Sequence, residues 1–366
     1  MRFELEPMSA VVTDPTDPHF VEHRKRNRML INNGIWVPMV GLSACLGDIA
    51  TMERTIETAI NLGYRYIDTS FSPPHEVAIG NAMRRLIMSG RVRRDDLFIA
   101  TKLPREGNQR DLVKKYLRAS LRNLQVNYVD LYLVHFPVRD VPHLNPKARR
   151  TEGAASRAAT PVQYTGRPPT DILEVWRGME DAANCGMTRS VGLCNFSAEQ
   201  TKRILAMATI KPTVLQVECH PYLKQKELVH FCREHQIAPV AYAPLGSPGR
   251  TQNVPRGRRG STPPPLLENP VLKTIAEQYR RSPAQIVIRW LLQRGVMVLP
   301  RTTSFEHMRE NSLVYDFLLS DTDMKTIGGL NRQMRIFRFD DDKSLLDDPE
   351  YPFRTSQSTA IVERKT

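Results

Sequence analysis

The stretch GYRYIDTS (63–70) is a short apolar and aromatic run that closes on a single acid, Asp68. A buried strand that delivers one polar side chain at its end reads this way. Working outward, the same pattern recurs along the chain. Strand-like runs are MVGLS (39–43), YRYID (64–68), LFIAT (97–101), VDLYLV (129–134), SVGL (190–193), VLQVE (214–218), APVAY (238–242) and VMVL (296–299). Between them lie segments with helical spacing, among them MERTIETAINLG, DLVKKYLRASLRNLQ, DILEVWRGMEDAANCG, AEQTKRILAMA, KELVHFCREHQ and SPAQIVIRWLLQRG. Gly63, Gly186 and Gly295 stand where helices stop, and Ser282-Pro283 where one starts. Strand candidates each followed by helical sequence predict parallel βα units. The rival, an open doubly wound sheet, usually carries G-x-G-x-x-G after its first strand, and none follows MVGLS. The expected fold is α/β, a (β/α)8 TIM barrel.

The bulk properties agree. A chain of 366 residues suits one barrel core, and 41% hydrophobic with 25% charged residues is ordinary for a soluble protein. No run of apolar residues is long enough for a transmembrane helix, and the N-terminus lacks the apolar core of a secretory signal. Cys45, Cys185, Cys194, Cys219 and Cys232 are odd in number and include no C-x-x-C pair, which suits a reducing, cytoplasmic setting better than disulfides or zinc. The net charge of +13 is concentrated: residues 23–28, 141–168 and 247–265 each contribute +4. These stretches read as solvated tails and loops without the interleaved aromatic residues of a base-stacking surface. Neither a nucleic-acid nor a membrane partner is expected, and since the fold does not require association, a monomer is. Residues 1–28, polar with scattered prolines, read as a disordered extension. The barrel is expected over 29–353, with insertions at 136–170 and 247–265, and 354–366 as a tail.

The residue that closes each strand is informative. Asp68, Lys102, His135, Asn195, Gln216, Tyr242 and Arg301 lie at or beside successive strand ends, which in a barrel converge on one mouth. Singly each has an ordinary explanation, Asp68 as a turn former and His135 as a packed rim residue. Together they read as a site.

These same segments carry a resemblance. GYRYIDTS resembles the aldo-keto reductase signature G-Y-R-x-I-D-T-A, IATKL its lysine strand and VDLYLVHFP its histidine strand. SVGLCNFS, VLQVECHPY, VAYAPLGS and PRTTSFEHMRENSLVYDF resemble later segments in order, as far as DPEYPF. The resemblance implies a barrel of the aldo-keto reductase type that binds NADP(H) and passes its hydride to a carbonyl of an aldehyde or ketone, a small-molecule substrate. It further implies a site of Asp, Tyr, Lys and His, of which Asp68, Lys102 and His135 match three. The tyrosine position, five residues after the aspartate, holds Pro73, which has no proton to give. Ser72, Phe71, His75 and Tyr66 are weak replacements: a poor acid, no hydroxyl, a helix-start residue, and a phenol about 6–7 Å deeper in the barrel. His135, or water held by Lys102, could donate slowly.

For the cofactor, the resemblance points to Cys194, Asn195 and Gln216 at the carboxamide, Tyr242 stacked on the ring, and Leu245 and Ser247 on the following loop. It places Arg301, Thr302, His307, Glu310 and Asn311 around the adenosine phosphate and adenine. His307 replaces an arginine, which weakens a bidentate phosphate contact. Ser43, Cys45 and Cys194 depart from the family's G-L-G-T-W and S-N segments. Two functions follow: an NADP(H)-dependent oxidoreductase, or a silent or weakly active relative that binds NADP(H) or a protein partner.

Overall fold

The computed structural model describes residues 27–45, 47–140, 170–248, 265–339 and 343–354. An antiparallel hairpin comes first, β1 (Arg28–Leu30) paired with β2 (Trp36–Pro38). Its alternation buries Met29 and Val37 and leaves Leu30 and Trp36 outside. Asn32 donates to Pro212 O (3.0 Å) and Asn33 to Arg189 O (3.1 Å) and Ser190 Oγ (3.0 Å). These acceptors precede barrel strands, so the hairpin sits across the N-terminal end of the barrel.

Eight parallel strands form that barrel: β3 (Leu42–Ser43), β4 (Tyr66–Asp68), β5 (Phe98–Leu103), β6 (Leu131–Val134), β7 (Val191–Cys194), β8 (Val214–Glu218), β9 (Ala238–Tyr242) and β10 (Met297–Leu299). Each pairs with its sequence neighbour. The circle closes where Val298 N donates to Met39 O (2.9 Å) and Gly41 N to Val298 O (2.9 Å). Near this seam a Cβ on Gly41 would lie 2.7 Å from Leu299 and 2.8 Å from the Tyr66 ring, so only glycine admits that ring to the interior.

The helices that return the chain are α1 (Ile49–Asn61), α2 (Pro73–Met88), α3 (Arg110–Leu124), α4 (Ile172–Asn184), α5 (Ala198–Met207), α6 (Lys226–Glu234), α7 (Pro270–Tyr279), α8 (Pro283–Gln293), α9 (Phe305–Ser312), α10 (Asp321–Gly329) and the short α11 (Lys343–Leu346). Ser282 caps α8 through Gln285 N, with Gln285 returning the bond.

The barrel reading stands, with shifted edges. The first strand is shorter than MVGLS because only Leu42 and Ser43 enter the ladder, Val40 making a single bridge. The N-terminal hairpin, α7 and α10 were not anticipated. For α7 the signal was present: Asn269 caps Val271 N (2.9 Å) and Pro270 occupies the first turn. The chain after α10 packs firmly. Phe136, Val138, Leu345 and Tyr351 form a second apolar cluster with Phe339 and Phe353. Glu350 accepts from Gln200 (2.9 Å) and Arg203 (2.7 Å), and Asp348 from Thr170 Oγ1 (3.1 Å). Of the extension expected over 1–28, residues 1–26 lie outside the described residues, whereas Asn27 is buried and Arg28 begins β1, so the ordered chain starts earlier than expected; residues 141–169 and 249–264 of the two insertions and 355–366 of the tail also lie outside them. Among the described residues no helix is long and apolar enough to cross a membrane.

Candidate active site

Strand alternation decides which side chains face the barrel axis, and the last inward residue of each strand faces the mouth. Asp68 ends β4, Lys102 is the fifth residue of β5, and Gln216 is the third of β8. The structure brings all three together. Lys102 Nζ lies 2.7 Å from Asp68 Oδ2, with both side chains about 5% exposed or less, and it donates a second bond to Thr69 O (2.7 Å). Gln216 Nε2 donates to the other oxygen of Asp68 (2.9 Å). Burial disfavours the ammonium of Lys102. The Asp68 carboxylate, with the sulfurs of Cys194 and Cys45 also nearby, outweighs it, and the net shift is upward. Lys102 has three N–H groups, and among the described residues two of them have partners.

The next shell continues from Gln216. Cys194 Sγ lies 3.8 Å from Gln216 Oε1, and Asn195 Nδ2 donates to Cys194 Sγ (3.3 Å) and to His135 O (3.0 Å). Tyr242 OH donates to Asn195 Oδ1 (2.8 Å). Asn195 adopts a left-handed backbone, φ 65°, a conformation asparagine tolerates better than most residues. Burial pushes the Cys194 thiol up to about 12, so it stays protonated and acts as a weak donor. His135 follows β6 at the half-buried rim of the mouth. Burial first, then the charges of Lys102 and Arg105, lower its imidazole to about 3. It is therefore a neutral ring at physiological pH, suited to donating a hydrogen bond to a carbonyl oxygen rather than releasing a proton.

The turn between β4 and α2 carries no phenol. Pro73 is the first residue of α2 and is exposed. His75 is engaged at both ring nitrogens, with Ser72 Oγ at 3.2 Å and Gly47 O at 3.2 Å, which supports its reading as a helix-start residue. Phe71 stands edge-on to Tyr116, centroids 5.0 Å apart. Tyr66 lies inside the barrel, fully buried, with its hydroxyl unpartnered among the described residues. Burial and then Asp68 raise it well above the ordinary tyrosine value, which makes it a poorer acid.

The remaining residues singled out in the sequence form a separate patch beyond β9 and β10. Leu245 and Ser247 are half-buried on the loop after β9, Ser247 with φ 49°. Arg301 is exposed, and Thr302 Oγ1 accepts from Ser304 N (3.1 Å). Ser304 caps α9 through His307 N (3.3 Å), and the His307 ring is exposed. Glu310 is half-buried and Asn311 is buried on the same helix.

Sequence reasoning missed Glu218. It shares a face of β8 with Gln216, the one signal available. Its two oxygens accept from Ile336 N (2.7 Å) and Phe337 N (2.9 Å), and His220 Nε2 lies 2.9 Å from Oε1. This clamp holds the segment after α10 at the mouth, where the Phe337 ring stands perpendicular to Tyr242 at 5.6 Å.

Comparison with known proteins identifies the family. The family model described as the aldo/keto reductase family matches residues 48–332. Prostaglandin F synthase 1 of Bos taurus is 35% identical over 337 residues, covering 90% of this chain and 98% of the relative. Aldo-keto reductase family 1 member A1 of Gallus gallus is 34% identical over 304 residues, covering 83% and 88%. A crystal structure of an aldo-keto reductase of Bombyx mori in complex with NADP superposes with a TM-score of 0.75 at 32% identity, covering 89% of this chain and 98% of that one. The chain belongs to the aldo/keto reductase family.

Proposed function

We propose that this chain is an NADP(H)-dependent oxidoreductase that reduces the carbonyl of an aldehyde or ketone, slowly, because Pro73 stands where the family's tyrosine acid is expected. The observation that carries the reading is the buried Lys102–Asp68 pair, tied to Gln216 and opening toward His135 and Asn195. The donor set fits the cofactor. Two amides, Asn195 and Gln216, suit a carboxamide, the half-buried Tyr242 ring suits stacking on a flat heterocycle, and Arg301 beside the N-terminus of α9 suits a phosphate. Cys194 supplies a thiol at the carboxamide, Leu245 and Ser247 border the loop after β9, and Thr302, His307, Glu310 and Asn311 surround the adenosine end. With His307 in place of an arginine, preference for the extra phosphate of NADP(H) is reduced.

The bound dinucleotide supplies the hydride. His135, neutral, donates to the carbonyl oxygen and orients it. Lys102 turns its remaining N–H toward a water at the same place; that water gives the alkoxide its proton, the hydroxide left behind takes one from solvent, and Asp68 keeps the ammonium charged. The missing general acid costs about 10²–10⁴-fold.

A second reading is favoured by the β4–α2 turn itself: a catalytically silent relative that binds NADP(H) or a protein partner. Titration with NADPH followed by fluorescence quenching, and then assay of NADPH oxidation with activated aldehydes, separates the two. Binding with slow turnover that rises in Pro73→Tyr supports the reductase. Binding without turnover, in the wild type and in Pro73→Tyr alike, supports the silent relative. No NADPH binding sinks the oxidoreductase. The expected setting is cytoplasmic and the expected state a monomer.

A further inference from the structure

Tyr242, the ring proposed to stack on the cofactor, is fixed at its far end, where its OH donates to Asn195 Oδ1 (2.8 Å). That bond leaves one freedom open. The phenol oxygen lies on the axis through Cβ and the ring, so the ring can turn about this axis without moving the oxygen. The torsion concerned, χ2, has broad wells and sets the ring plane only loosely by itself. A stacking platform needs the plane fixed, because a face and not an edge must meet a flat heterocycle. The Phe337 ring stands in the way of the turn. Its centroid lies 5.6 Å from that of Tyr242, with the two planes 80° apart.

Phe337 is in turn placed by Glu218. The residues just before it are tied down elsewhere, Lys224 N donating to Asn331 Oδ1 (3.2 Å) and Arg332 N and Met334 N to Tyr222 O (3.0 and 3.1 Å). At the next two residues a side chain takes over as acceptor: Glu218 Oε1 receives Ile336 N (2.7 Å) and Oε2 receives Phe337 N (2.9 Å). Glu218 is fully buried, and so is His220, whose Nε2 lies 2.9 Å from Oε1. A buried carboxyl group is costly unless it is hydrogen-bonded, and two of the bonds that compensate it go to the residues that bring the Phe337 ring to Tyr242. We propose that Glu218 is a positioning residue for the cofactor: acting through Phe337, it fixes the plane of Tyr242 and so the face offered to the nicotinamide. This inference rests on the oxidoreductase reading.

The test combines two readouts on the full chain: the ring resonance of Tyr242 in isotope-labelled, cofactor-free protein, identified by its loss in Tyr242→Phe, and NADPH affinity by fluorescence quenching. Glu218→Gln exchanges one acceptor for an NH2 group that cannot receive a backbone N–H. Phe337→Ala removes the ring from a half-buried position. Both variants are expected to move the Tyr242 resonance in the same direction, since both take away the Phe337 ring current. Each weakens NADPH binding by about 3–10-fold, the scale of an aromatic pair. The double variant binds no worse than the weaker single variant, because both act through one contact. Phe337→Tyr keeps a ring in place and keeps the affinity. Asp130→Asn, which breaks a buried ion pair with Arg94 (2.8 Å), lowers stability without moving either readout. A purely structural Glu218 would give the Asp130→Asn result, a loss of stability alone, and that outcome overturns the proposal, as do additive losses in the double variant. If Glu218→Gln folds poorly, Ile336→Pro deletes the N–H from the other side of the same bond, and an unmoved Tyr242 resonance there overturns the proposal. If the wild-type chain binds no NADPH, the oxidoreductase reading falls, and the resonance of the cofactor-free chain still decides whether Glu218 sets the ring.

Discussion

The two ends of the barrel each bury a carboxylate beside a cation, and they use it differently. At the N-terminal end, Asp130 meets Arg94 (2.8 Å) and Arg189 (3.5 Å) and accepts from Ile99 N (2.9 Å). Both guanidinium groups also lie against Tyr128, 4.1 and 4.2 Å from the ring centroid. Burial raises the Asp130 carboxyl despite the two arginines. Every contact there joins one part of the chain to another. At the C-terminal end, Asp68 holds Lys102 and Gln216, and among the described residues one N–H of the Lys102 ammonium has no partner. The first cluster closes a fold; under the proposed function the second prepares a donor. Barrels divide stability and function between their two ends in this way.

The largest effect expected sharpens the second half of that contrast. Pro73→Tyr places a phenol at the start of α2, where the family's acid is expected, and turnover of an activated aldehyde rises by about 10²–10⁴-fold, read as NADPH oxidation. Lys102→Met attacks the same pair from within. It leaves Asp68 buried with Gln216 alone, so stability by urea titration falls by about 3–5 kcal/mol and residual turnover disappears. Asp130→Asn is the matching change at the other end. It lowers stability by about 1.5–3 kcal/mol, the scale of hydrogen bonds to charged groups, and leaves NADPH affinity where it was. A drop in NADPH affinity there would break the comparison.

Two smaller effects refine it. His307→Arg restores a permanently charged fork at α9 and tightens NADPH about 10-fold without changing NADH, measured by fluorescence quenching. The pH dependence of stability concerns His135. Its folded-state value is lowered to about 3 by burial, then by Lys102 and Arg105, while the unfolded chain titrates near 6.5. Between these values the unfolded state binds the additional proton, so the contribution is complete above about pH 6.5 and is lost as pH falls toward 3. In His135→Gln the acid limb of a stability–pH profile becomes shallower; an unchanged limb would show that His135 is not the group responsible.

Much of the fold was legible in the residues. The period of two in YRYID and VLQVE, and helical spacing between such runs, is local chemistry that any stretch of sequence carries. The hairpin β1–β2 was harder to read because its strands are three residues each, too short for periodicity to register, and because its role depends on Pro212, Arg189 and Ser190 far along the chain. Among candidate site residues, Asp68, Lys102 and His135 announced themselves by closing strands. Glu218 did not, because two of its three partners are backbone N–H groups of Ile336 and Phe337, more than a hundred residues away, and a backbone donor leaves no mark in a sequence.

By itself, then, the amino-acid sequence determined the alternation of strands and helices, the polar residues that end those strands, and the proline where an acid was expected, since each of these depends on neighbours within a few positions. The tertiary structure decided which of those residues meet. Asp68 and Gln216 are 148 positions apart and touch at 2.9 Å because barrel closure brings β4 and β8 to a common axis. It also decided that Lys102 spends two of its donors inside the chain. Long-range pairing and burial set these outcomes, and both follow from the packing of the whole barrel rather than from any local run of residues.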